Sequence, residues 1–108
     1  MTFNQIIQYV DSVRPNPFTE SVKLSWLCEA EALVRGEIMG QGADSIPESV
    51  LGTDIPSAHA TYIRLYSYYV FSMIDFLMSE YDRYKMSSEL FEKAFNDYAK
   101  WYMRKGED

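Results

Sequence analysis

The segment 62–78, YIRLYSYYVFSMIDFLM, constrains the fold more than any other. Read as a helix, it is apolar around most of its circumference, with a narrow polar stripe through Arg64, Asp75 and Ser79. Such a helix must be enclosed on several sides, by other helices or by lipid. Lipid is the poorer reading. A span needs about 20 predominantly apolar residues, and charges at mid-bilayer cost several kcal/mol in total. This run carries Arg64, Ser67, Ser72 and Asp75. The segment is therefore expected to be the central helix of a water-soluble bundle, over about residues 60–81, with no membrane partner. A chain of 108 residues has room for a single such domain.

The rest of the chain supplies the enclosing helices. Phe3, Ile6, Ile7, Val10 and Val13 recur on one helical face, and Thr2 with Gln5 has the spacing of a capping box. This predicts a first helix over about 3–13, stopped by RPNP because Pro15 disfavours helical geometry at Arg14. Thr19 is a suitable N-cap for a second helix over about 19–39, with Glu20 favourable to its dipole and Gly40 as C-cap. That helix has two apolar stripes, one through Leu24, Leu27, Cys28, Val34 and Ile38, the other through Val22, Trp26 and Leu33. Residues 40–58, GQGADSIPESVLGTDIPSA, lack helical periodicity and contain three glycines and two prolines. They read as one long loop, with a short strand possible at Ser49 to Leu51. A loop of that length in a small domain is usually functional or disordered. It is expected to be the most mobile segment and the main docking element. After a turn in YDRYKMSS, Ser87 is read as the N-cap of a fourth helix over about 87–104. Along it Phe91, Phe95, Tyr98 and Tyr102 form one stripe, with Ala94 and Trp101 beside them. This is a core seam, with a partner-facing edge at Trp101 and Tyr102 as the alternative. The fold class is therefore all-α, a four-helix domain with a long loop between helices 2 and 3.

Charge and motif content narrow the function. Net charge is −6, so phosphate backbones repel the chain and stable, specific nucleic-acid binding is not expected. Aromatics beside Lys100, Arg104 and Lys105 suggest a nucleic-acid stacking surface at first sight. However, the last 29 residues hold six basic and seven acidic groups. One cysteine, Cys28, and one histidine, His59, leave no internal disulfide and no two-histidine metal site. Cys28, flanked by Leu24, Leu27 and Ala30, reads as a buried small hydrophobe. His59 reads as a surface or capping residue. Nucleotide-binding glycine motifs, HExxH and GxSxG are absent. No cofactor, metal or catalytic residue is assigned, and the chain is not expected to be an enzyme. Glu29, Glu31 and Glu37 read as a solvated acidic face.

What remains points to partners. Nine tyrosines exceed what so small a core can bury, and tyrosine suits interfaces because it joins apolar area to a polar tip. Asp75 is a charge within an apolar helix. It is expected to pair at the core's edge, with Arg83 or a tyrosine hydroxyl, or to face a subunit boundary. The candidate partner-interface residues are Asp44, Glu48 and Asp54 in the loop, together with Asp75, Tyr81 and Tyr84.

Two blocks carry a family resemblance. VDSVRPNPFTESVKLSWLCEAEALVRGEI presents Asp11, Pro15, Asn16, Trp26, Leu27, Glu29 and Glu37. MIDFLMSEYDRYKMSSELFEKAFNDYAKWYMR presents Ile74, Asp75, Glu80, Tyr81, Asp82, Arg83, Tyr84, Phe91, Tyr98, Trp101 and Tyr102. In order and spacing these resemble small head–tail connector (adaptor) proteins of tailed phages and prophages of Gram-positive bacteria. The resemblance leaves out the loop. It implies an all-helical structural protein that forms a ring between portal and tail and extends the DNA channel. Its partners would be its own copies, the portal protein and tail-side neck proteins, with DNA passing but not stably bound. It would act in the host cytoplasm during assembly and then in the virion neck. The competing expectation is a small helical regulator that binds a host protein as a monomer or dimer.

Overall fold

A computed structural model describes residues 1–106. Four α-helices form the domain: α1 (Phe3–Val13), α2 (Glu20–Leu33), α3 (Arg64–Leu77) and α4 (Tyr81–Lys105). No strand occurs among the described residues, so the possible strand at Ser49 to Leu51 is not formed. α3 packs against all three other helices. Phe3 meets Tyr66 edge to face at 5.9 Å, near the start of α3, while Arg14, just past α1, reaches Asp75 near its end. α1 and α3 therefore run parallel. α2 and α4 run antiparallel to α3, as the pairs Glu31–Tyr66 and Tyr62–Tyr98 require.

The core is built as the apolar pattern implies. Phe3, Ile6 and Val10 from α1, Leu27 and Ala30 from α2, Leu65, Tyr66, Val70 and Ile74 from α3, and Tyr98 from α4 are almost wholly buried. Phe91, Phe95, Trp101 and Tyr102 pack half-buried against them, so the aromatic stripe of α4 is a core seam. The expected caps are also present. Thr2 and Gln5 make both bonds of the capping box, and Thr19 Oγ accepts from the Val22 amide at 3.2 Å.

α2 does not end as a plain helix. It continues through one π-helical turn, Val34–Ile38, in which the Met39 amide reaches back to the Val34 carbonyl at 3.0 Å. The wider turn admits one extra residue and leaves Ile38 and Met39 packed on the core. Gly40 then takes the left-handed conformation, with φ 68°, and closes the helix as expected.

The junction of α3 and α4 differs from the sequence reading. The chain turns at residues 78–80, not at 82–86, and Ser87 lies well inside α4. The turn is a Schellman motif: the Glu80 amide donates to the Asp75 carbonyl at 2.8 Å and the Ser79 amide to that of Phe76 at 3.1 Å. Ser79 holds the left-handed position, with φ 61°, where glycine is usual. No glycine or proline marks the turn, so the helical pattern read straight through it. Ser87 is a buried residue that faces α3, not an N-cap. α3 begins at Arg64, after a 3₁₀ turn over Ala60–Tyr62.

Candidate partner-binding site

Three neighbouring features could serve a partner: the α3–α4 tip, the ion pair beneath it, and a groove between α2 and the loop. At the tip, Phe76 (50% exposed), Leu77 (50%), Met78 (47%) and Tyr81 (61%) project together. Phe76 packs on Tyr84 with ring centroids 5.2 Å apart, and on Tyr81 at 6.2 Å. The Schellman turn fixes this cluster at the end of two packed helices. It is a rigid apolar knob, and exposed apolar groups gathered in one place mark interaction surfaces more often than scattered ones.

Asp75 lies directly behind the knob and is 1% exposed. Its Oδ2 accepts from Arg14 at 2.5 Å and from the Ser87 hydroxyl at 3.0 Å. Arg14 also lies over the Phe71 ring, 4.7 Å from its centroid. Asp75 therefore pairs with a base, as expected, but the base is Arg14 rather than Arg83. Sequence reasoning missed it because the partner is 61 residues away and becomes close only when α1 and α3 lie parallel. The other oxygen, Oδ1, is buried without a hydrogen-bond partner among the described residues. This polar joint ties α1, α3 and α4 together at the base of the tip.

A second buried carboxylate fixes the loop. Glu31, read from sequence as part of a solvated acidic face, is 1% exposed. Its carboxylate accepts from the Tyr66 hydroxyl at 2.8 Å, the Ser57 hydroxyl at 3.0 Å and the Ser57 amide at 3.2 Å, and Arg35 stands 3.5 Å away. Glu29 and Glu37 do remain exposed. Further anchors follow: Ala58 N–H donates to the Tyr66 hydroxyl and His59 N–H to that of Tyr98. Upstream, the Gly52 and Asp54 carbonyls accept from the Asn4 and Phe3 amides and so complete the start of α1. A Cβ at Gly52 would lie 2.0 Å from Asn4 Oδ1, so glycine is needed for this approach. The expectation of a loop loose along its whole length is thus corrected, because residues 51–59 are fastened to all four helices. Gly40 to Ser45 is the exposed part.

The loop also walls a groove of about 850 Å³ against the outer face of α2. Leu24, Cys28, Ala32, Pro47 and Val50 supply apolar lining, and Glu20, Glu29 and Glu48 supply carboxylates. No lysine or arginine lines it. Cys28 donates weakly to the Pro47 carbonyl at 3.5 Å. Burial first, then the nearby Glu31 and Glu29 charges, push its thiol pKa up, which suits a packing residue and not a nucleophile.

The six candidate interface residues therefore do not form one site. Tyr81 and Tyr84 share the tip, with Asp75 buried beneath them. Glu48 lines the groove. Asp54 is exposed, but its carboxylate accepts from the Leu51 amide and shapes the turn over α1. Asp44 sits in an exposed 3₁₀ turn, Ala43–Ser45. Among the described residues, no three His, Cys, Asp or Glu side chains are grouped to hold a metal, and no helix is long and apolar enough to cross a membrane.

No family model, no curated protein and no solved structure matches this chain.

Proposed function

We propose that this protein is a structural assembly protein of the head–tail connector type, a subunit that joins copies of itself and neighbouring ring proteins rather than turning over a substrate. The observation that carries the reading is the α3–α4 tip, an apolar knob held rigidly in a conformation that needs no further folding. Binding through preorganised side chains avoids the cost of ordering them. The resemblance in the two sequence blocks supports the same reading. Its C-terminal block contains the whole tip, the buried Asp75 and the aromatic seam of α4. An acidic chain also suits a channel through which DNA slides without sticking.

The reading is tested by assembly. The purified chain, mixed with the portal protein encoded beside it, should associate with the portal ring and be recovered from virions. Deleting its gene should leave DNA-filled heads without tails. A chain that stays monomeric, ignores the portal and instead co-purifies with one host protein would support the regulator reading and overturn this one.

A further inference from the structure

We infer that the α3–α4 tip of one copy seats in the groove between α2 and the loop of a second copy, so that this chain carries both halves of its own contact. The inference rests on the assembly reading above and adds to it the identity of the two surfaces. The groove offers apolar lining from Leu24, Cys28, Ala32, Pro47 and Val50, open to its surroundings. The tip offers Phe76, Leu77, Met78 and Tyr81, each about half exposed or more. No tip residue lines the groove of its own chain.

Charge selects this occupant from the surfaces the chain has. The groove carries Glu20, Glu29 and Glu48 with no cation among its lining residues. An acidic neighbour would be repelled there, and the chain is acidic overall, at −6. Beside the tip, exposed Arg83 and Lys85 offset Glu80 and Asp82, so this apolar surface approaches the carboxylates without net repulsion.

Area then sets the strength. Aromatic side chains bury about 150–250 Å² each when enclosed, so four half-exposed tip residues offer on the order of 400 Å². A stable interface needs about 800 Å² per partner. One tip-in-groove contact is therefore weak, and the isolated chain is largely monomeric when dilute. The two surfaces differ, so the contact is head-to-tail and each copy can make two. Such contacts close into a ring when the rotation between copies allows it.

A photo-reactive phenylalanine analogue placed at Leu77 tests the contact, in concentrated free protein and in rings assembled on the portal. The expected result is a covalent dimer whose cross-linked peptide maps to residues 19–32 or 47–50. Ser25→Trp fills the groove from an exposed position and should cut that dimer at least tenfold with the thermal midpoint unchanged. If rings form on the portal but the label reaches another surface, including a second tip, the tip-in-groove contact is wrong and the connector reading stands. If the label survives Ser25→Trp undiminished, the groove is not the receptor. Absence of any association, with itself or with the portal, overturns both.

Discussion

Replacing Glu31 with alanine is the sharpest test of how the loop is held. The carboxylate is buried and accepts from three donors on two segments, with Arg35 beside it. Alanine strands the Tyr66 hydroxyl and the Ser57 amide, and a buried donor left without a partner costs about 1–3 kcal/mol. Ser57 is half-buried, so water can partly satisfy it. Arg35 is 31% exposed and can turn to solvent. Removing one member of a fully buried ion pair costs about 3–5 kcal/mol, and these two exposures place Glu31→Ala near the lower end, about 3 kcal/mol. At about 4–8 °C per kcal/mol for a domain of this size, the thermal midpoint should fall by about 12–24 °C. Circular dichroism melting gives that number. Hydrogen exchange should show the amides of Ser57, Ala58 and His59 losing protection well before those of α3. Glu31→Gln keeps the volume and one acceptor and should fall between. In a double-mutant cycle Tyr66→Phe should couple to Glu31→Ala by about 1–2 kcal/mol. A fall of less than about 4 °C, with loop exchange unchanged, would mean that apolar packing holds the loop and the carboxylate is incidental.

The other expectations concern the tip, the seam and the tyrosines. Asp75→Ala leaves Arg14 and Ser87 without their acceptor and should cost about 2–4 kcal/mol by denaturant titration, less than a fully enclosed pair because Arg14 is 25% exposed; no measurable loss would refute the joint. Ser79→Gly relieves the left-handed position and should raise stability by about 0.5–1 kcal/mol; a loss would show that φ 61° is not strained. Tyr98→Ala should reach the range of about 3–5 kcal/mol for buried aromatics, while the half-buried Trp101→Ala falls short of it; the reverse order would contradict the packing. Tyr69 is pushed up to about 12, first by burial and then by Glu29, and Tyr66 and Tyr98 are also raised, first by burial. A tyrosine with a raised folded pKa contributes stability that is whole below its unfolded pKa near 10 and is lost as pH rises through the folded value. Alkaline melts should therefore weaken from about pH 10 upward, and less steeply in Tyr69→Phe; an unchanged slope would count against the shift.

The sequence made local features legible and concealed most distant ones. Thr2, Thr19 and Gly40 act within a few residues of themselves, so spacing alone located three of the helix ends. The stripe Phe91, Phe95, Tyr98, Tyr102 also follows from helical period alone. The α3–α4 turn was hidden because Ser79 occupies a glycine position, and serine carries no strong turn signal. Glu31 looked solvated because its neighbours Glu29 and Glu37 are; only Tyr66 and Ser57, 35 and 26 residues on, show otherwise. Lys23 is the same case: it is buried against Asp11 at 2.7 Å, a pairing that no periodicity announces. Of the candidate site, the tyrosines of the tip were named, but Phe76, Leu77 and Met78 were read as interior because the helix was carried past its true end.

The π-helical turn at the end of α2 decides which changes of length this chain can survive. A residue deleted from 34–38 would restore regular α-helical bonding, which taken alone is favourable. It would also rotate everything after the lesion by about 100°, one residue's share of a turn. Ile38 and Met39 would leave the core, and the loop would start from a different side of the bundle, out of register with Ser57 and its carboxylate. Natural variants should therefore accept substitution within 34–38 far more readily than loss of a residue, whereas Gly40 to Ser45, with few anchors of its own, should be where lengths drift.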